Sequence, residues 1–367
     1  MTERSERGGS HRDDRGGRGY RGGSGGGDRG YRGGSGGDRG GGGRGGDRGY
    51  RGGDRGYRDG ERGRSRRVYD DEPRDGLLAD LVGHLHALDG RSYAAYKAIV
   101  GRYRAPAGWF LHIDRVQADP YAPPTRIHVD VPTDLHGLEL LDEADLLADA
   151  DRRLAVGDFL TRELHAGFRG TALSIASPGQ EILQRSSIIV RPDEKKEGPG
   201  WVLEVRARLA LPAQGRSIQG HEASRIVGRD LVRELEEAMD LTGERGDRLV
   251  RHIATLEDHR DLTATVARNG WVSFLADGSV LPRRSGVSDE PLDGGVPLDA
   301  PESMAATVEL PHAGTVRGTV VEAGVNVIVG GGYHGKSTLL SAIERGVYPH
   351  VPGDGRELVA TVPDAVK

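Results

Sequence analysis

Nine consecutive residues, Gly330-Gly331-Gly332-Tyr333-His334-Gly335-Lys336-Ser337-Thr338, have the types and spacing of a phosphate cradle, matching G-x-x-x-x-G-K-[ST]. Glycines let a backbone curl tightly and aim its N–H groups at one anion. A helix beginning near Lys336 would add the positive end of its dipole to the same spot. Lys336 would then reach β- and γ-phosphate oxygens, and Ser337 would hold Mg2+ through its hydroxyl. Thr338 follows as a further phosphate contact. The chemistry implied is binding of Mg-ATP. His334 fills a permissive position in the loop and is assigned no proton, and no residue of the chain is assigned a catalytic role.

Such a loop works only between a strand and a helix. Residues 325–329 are apolar and read as the strand that feeds it. Leu339, Leu340 and Ile343 fall at helical spacing after it, with Gly346 ending the pattern. Two more strand-like runs, 306–310 and 315–321, precede the motif. Upstream, Leu77, Leu78, Leu81, Val82, Leu85 and Leu88 predict a first helix, stopped near Gly90, and 93–103 a second short one. Strands are expected at 109–116, 126–131, 185–190, 201–211 and 271–275, and helices at 138–150, 154–165, 221–238 and 246–268. The Pro- and Gly-rich stretch 281–301 reads as a boundary. The fold class is therefore α/β, with an α/β domain over 73–300 and the start of a P-loop domain over 301–367.

Residues 1–67 differ in kind from the rest. They hold 27 of the 59 glycines and 18 arginines without a lysine, and with 10 acids their net charge is +8. The remaining 300 residues carry −13, so the overall −5 conceals a basic arm on an acidic body. Glycine at this density makes ordering costly in backbone entropy, with few apolar groups to offset it, so the expectation is a disordered arm over 1–72. Its arginines suit phosphates, and Tyr20, Tyr31, Tyr50 and Tyr57 suit stacking on bases, which points to RNA or single-stranded nucleic acid. A solubilising linker is the plainer alternative. Absence of cysteine excludes disulfides and thiolate metal sites. Without an apolar run of about 18 residues nothing spans a membrane, and a cytoplasmic protein is the default.

The run from Gly324 through the motif to Leu340, followed by Gly346-Val-Tyr-Pro-His-Val-Pro-Gly-Asp-Gly-Arg-Glu357, resembles the predicted ATPases of the ABC class, which lack transmembrane segments. Supporting blocks are Gly179-Gln-Glu-Ile-Leu-Gln-Arg-Ser-Ser187, Leu211-Pro-Ala-Gln-Gly-Arg216 and Asp277-Gly-Ser-Val-Leu-Pro-Arg283. The resemblance runs from about Leu77 to Lys367 and leaves out the arm. It implies an N-terminal α/β domain feeding an ABC-type core, with Mg-ATP as ligand; the leading function is then ATP-driven dimer closure acting on a macromolecular partner, RNA and a homodimer being the candidates.

The chain departs from that family in one respect. Only 29 residues follow Thr338, and no Walker B carboxylate or signature loop is recognised among them. The expectation is a chain truncated after the P-loop, in which phosphate binding is retained and turnover is doubtful. Leu138-Glu-Leu-Leu-Asp-Glu143 has the form of a Walker B strand but fits an amphipathic helix better, and Ser177-Pro-Gly-Gln180 is an unconvincing signature. Arg185, Arg216 and Arg283 lie within the family-like blocks and read either as lining a functional surface or, by preference, as ordinary surface arginines. The rival function is a non-catalytic RNA-binding or scaffold protein with a vestigial P-loop. A P-loop kinase is the weakest reading, since no lid or acceptor pattern follows the motif.

Overall fold

Strand alternation decides where the first layer forms. The computed structural model describes residues 74–194 and 200–365; the arm, with its expected disorder and nucleic-acid contacts, lies outside the described residues. Strand β1 (Arg74–Leu77) runs directly into helix α1 (Leu78–Ala87), which buries Leu78, Leu81 and Leu85 on one face. A 3-10 turn at Tyr93–Ile99 precedes β2 (Gly101–Arg104), so the expected helix over 93–103 is one tight turn and a strand. Next come β3 (Phe110–Arg115), β4 (Thr125–Pro132), the single turn α2 (Leu140–Glu143) and the long α3 (Ala150–Gly167). Strands β5 (Leu173–Ser174), β6 (Ile188–Pro192) and β7 (Trp201–Leu209) close the layer.

The sheet runs β1-β2-β3-β4-β7-β5, with β6 pairing β7 on the edge that β5 also uses. Only β1 and β2 are parallel. Period-two alternation sends Leu111, Ile113, Ile127, Val129, Val131, Leu203 and Val205 to the core. Helix α3 covers that side with Ala155, Val156, Phe159 and Leu160, all buried. The opposite face carries His112, Asp114, Arg126, His128, Asp130, Glu204 and Arg206, the other half of the same alternation.

The small hairpin β8 (Ala213–Gln214) and β9 (Ser217–Ile218) leads to α4 (Gly220–Arg225), a π-helical turn at Ile226–Asp230 and α5 (Leu231–Met239). Helix α6 (Glu244–Arg268) then serves two cores. Its Leu249, Ile253 and Leu256 pack with the first sheet's helices. Leu262 and Val266 pack with Phe274, Val308, Leu310 and Val320 of the second sheet. That sheet is β11-β12-β10-β13, all antiparallel, built from β10 (Trp271–Ala276), β11 (Ala305–Leu310), β12 (Gly314–Glu322) and β13 (Val359–Thr361). Helix α7 (Lys336–Arg345) lies between β12 and β13 in the chain. Because β10 belongs to this sheet, a line drawn at residue 300 runs through it.

Two more expected elements take another form. The helix expected over 138–150 is only α2 and a series of turns. Leu146 and Leu147 are both buried, and Asp145 at φ 52° swings the chain so that adjacent leucines both reach the core. Asp142 and Glu143 stand exposed on this segment, with no Walker B strand beneath them. The strand expected at 325–329 is extended coil, and among the described residues no strand pairs with it. Val325, Val327 and Val329 are accordingly exposed, because alternation makes a strand only where a neighbour supplies the ladder.

Candidate nucleotide site at the phosphate loop

Three backbone positions give the loop its shape. Gly330 has φ 151° and Gly335 has φ 76°, both conformations that suit glycine, and Tyr333 is a rare non-glycine residue at φ 62°. A Cβ built on Gly332 or Gly335 would meet open space, and one on Gly331 would crowd the His334 ring at 3.2 Å. Gly335 is the N-cap of α7, so the helix begins at Lys336 with its first N–H groups open to the loop.

Three hydrogen bonds lie within the loop. The Lys336 ammonium donates to the Gly330 carbonyl at 2.8 Å and also to the Gly331 carbonyl. The Gly331 N–H donates to Nδ1 of His334 at 3.1 Å. Gly330, Gly331, Gly332, Tyr333, His334, Gly335 and Ser337 are exposed, with Lys336 and Thr338 half-buried. His334 is thus a working part of the loop's internal bonding, which its reading as a filler missed. An ammonium, glycine N–H groups and a helix start lie together in this exposed loop, a donor set whose chemistry suits a polyphosphate. Ser337, the exposed hydroxyl next to Lys336, is the residue that could hold Mg2+.

The far end of α7 is anchored firmly. Ala342 is fully buried, and the Gly346 N–H returns to its carbonyl at 2.9 Å. The Gly346 carbonyl accepts from His259 Nε2 of α6 at 3.1 Å and from the Thr361 N–H of β13 at 2.9 Å. The Thr361 hydroxyl donates to the Ile343 carbonyl at 2.7 Å. Burial drives the His259 pKa down to about 4, so this imidazole is neutral and serves as a donor.

Alongside Ser337, Thr338 and Ser341 lies a cavity of about 400 Å³ walled by Glu181, Arg283, Arg345, His350 and Arg356. It gathers sequence blocks that are far apart. Arg345 pairs with Glu181 at 2.7 Å. The chain at 180–182 runs against 349–351, with Ile182 N–H on the Pro349 carbonyl at 2.8 Å and Val351 N–H on the Gln180 carbonyl at 2.9 Å. Arg283 grips Asp354 with two bonds of 2.7 and 3.0 Å. Arg356 is 4% exposed and donates to the Leu281 carbonyl; burial, with Arg283 beside it, brings its guanidinium down to about 10.

Behind Glu181 stands Asp158 of α3, with a fully buried side chain. It accepts from Arg162 and Arg185 at 2.7 Å each, with His252 at 3.3 Å. Burial alone would raise its pKa, but these cationic and hydrogen-bonding neighbours hold it below the usual carboxylate value. Arg162 passes its remaining donors to the Gly179 and Glu181 carbonyls at 2.7 and 2.9 Å. Two of the three block arginines therefore differ from their surface reading. The Arg185 and Arg283 side chains are only 15% and 12% exposed, each held by a buried carboxylate. Arg216 alone is exposed, in the turn between β8 and β9.

Two family models cover this architecture. One describes the P-loop domain of ABC ATPases and matches residues 245–367. The other describes the N-terminal region of ATPases of the ABC class and matches 78–241. The chain belongs to the ATPases of the ABC class. No curated protein matches it. In this ABC-class ATPase the matched stretches meet between α5 and α6, and the second begins with the helix that enters both cores. A P-loop domain of this class is a nucleotide-binding domain. No helix among the described residues is long and apolar enough to cross a membrane.

Proposed function

We propose that this chain binds Mg-ATP at Gly330 to Thr338 and uses the nucleotide to drive action on a macromolecular partner. The observation that carries the reading is the position of Lys336. It is the first residue of α7, directly after a left-handed glycine, with its ammonium inside the loop. Lys336 would leave the two carbonyls for β- and γ-phosphate oxygens, while the loop N–H groups take the remaining phosphate lone pairs. Ser337 would hold Mg2+, which supplies charge neutralisation between the phosphates when bound.

The network from Arg345 through Glu181 to Asp158 supports a mechanical role, since it ties the P-loop helix to the N-terminal sheet's covering helix. The exposed valines at 325, 327 and 329 support association through this end of the chain, here taken as closure of a homodimer. The macromolecular partner is proposed to be RNA, engaged by residues 1–67 in the cytoplasm.

The deciding experiment is calorimetric titration with Mg-ATP of the wild-type chain and Lys336→Ala. Two charge-assisted bonds are removed, so affinity should fall by about 100-fold or more. Equal affinity in the two chains would remove the site assignment. Stimulation of ATP turnover by single-stranded RNA favours the motor reading. RNA binding indifferent to ATP favours a scaffold with a vestigial loop.

A further inference from the structure

The polar face of the first sheet holds a group of side chains with the chemistry of a metal site. His112 on β3 and His128 on β4 are direct cross-strand partners. Asp130 lies two residues beyond His128 on the same face, and Asp114, at a register shift in β3, reaches that face through its bond to His128. One ligand atom each of His112, His128 and Asp130 lies within 4.8 Å of the others. The two imidazoles stack with centroids 4.1 Å apart and planes 12° from parallel.

The surrounding bonds leave one ligand atom of each residue available. His128 has Nδ1 on Asp114 Oδ2 at 2.8 Å, which leaves Nε2 as its lone-pair nitrogen. Asp130 uses Oδ1 to accept from Arg191 at 2.8 Å, so Oδ2 is the oxygen that faces His112 Nε2 at 3.5 Å. His112 Nε2 is itself buried and has no hydrogen-bond partner. A carboxylate behind one histidine and a guanidinium behind the ligand carboxylate are the outer partners that fix donor atoms around a metal.

We infer that His112, His128 and Asp130 form a three-ligand site for a first-row divalent ion, best suited to Zn2+. Two imidazoles and one carboxylate are zinc's ligand set where a fourth position stays open. Donors around tetrahedral zinc sit about 3.3 Å apart, given bonds of about 2.0–2.2 Å. Closing from 4.8 Å thus needs side-chain adjustments of roughly 1 Å, within reach of χ rotations on a fixed backbone. The scaffold is rigid where it matters, since β4 is paired on both edges, by β3 and by β7. Of the three ligands, His128 borders a cavity of about 720 Å³, together with Asp114, Arg126, Ser187 and Arg206, and water from it would serve as fourth ligand.

The test uses the full chain, stripped with chelator and free of nucleotide, titrated with ZnCl2 against a chromophoric zinc indicator. One ion should bind per chain, with His112→Gln and His128→Gln each lowering affinity by at least about tenfold. Asp114→Asn, which touches no metal, should weaken binding by about 10–100-fold as an outer partner. Absence of stoichiometric binding, or binding unchanged in both histidine variants, overturns the site. Should the variants fold poorly, histidine acylation of the wild-type chain decides. Zinc should shield His128, whose side chain is 25% exposed, while His136, with a 97% exposed side chain, reacts as before. Equal reaction of His128 with and without zinc overturns the proposal.

Discussion

His334 bonds within the loop that the proposed function assigns to phosphate. Its Nδ1 takes the Gly331 N–H, a group that a phosphate oxygen would otherwise accept from, while Lys336 rests on loop carbonyls. Nucleotide entry must break both arrangements. Replacing His334 with Ala frees the Gly331 N–H in advance, and a neutral hydrogen bond of about 0.5–1.5 kcal/mol no longer opposes binding. Mg-ATP affinity should therefore rise by roughly two- to tenfold in His334→Ala, measured by calorimetry. A fall in affinity would mean the imidazole meets the phosphates itself. The P-loop domain was legible in the sequence because glycine, lysine and serine recur at fixed spacings in such loops. The duty of His334 was not, since it depends on a backbone turn that only the folded loop displays. Arg185 and Arg283 were misjudged for a related reason: their carboxylate partners, Asp158 and Asp354, lie 27 and 71 residues away.

At the scale of elements, α6 is the joint between the two cores, and His259 is its point of contact with the P-loop helix. The folded imidazole accepts a proton only near pH 4, against 6.5 when unfolded, because burial opposes its charge. Between those values the unfolded chain binds more protons, so stability rises with pH and is lost on acidification through that window. His259→Gln keeps an N–H for the Gly346 carbonyl but cannot titrate. From pH 7 to pH 5, the stability loss in urea titrations should be smaller in His259→Gln by about 2 kcal/mol. His252 is shifted downward by burial too and keeps part of the slope in both chains. Identical pH dependence would show that His259 is not held neutral. Sequence periodicity found this helix to within two residues, since an amphipathic pattern 25 residues long leaves little room for another reading. Periodicity failed at 138–150, where a left-handed aspartate lets adjacent leucines share one core, and at 325–329, where the pattern names a strand without naming its partner.

The whole molecule poses a charge problem. Residues 1–67 carry +8 and the remainder −13, so any polyanion drawn to the arm is repelled by the body. The cavity beside Ser337 adds no strong attraction, since Arg283 and Arg345 already hold Asp354 and Glu181. Affinity for RNA should then reside in the arm and obey counterion release. With about eight phosphates neutralised, log K against log salt should slope at roughly −6 for a single strand. Deleting residues 1–67 should abolish measurable binding of a single-stranded homopolymer in fluorescence anisotropy, while Mg-ATP affinity stays within about twofold. Retention of RNA binding by the shortened chain, with a comparable salt slope, would move the interface to the folded body, where the arginines 126, 206 and 208 of the first sheet's polar face are candidates. Loss of both ligands together would instead tie the arm to the nucleotide site.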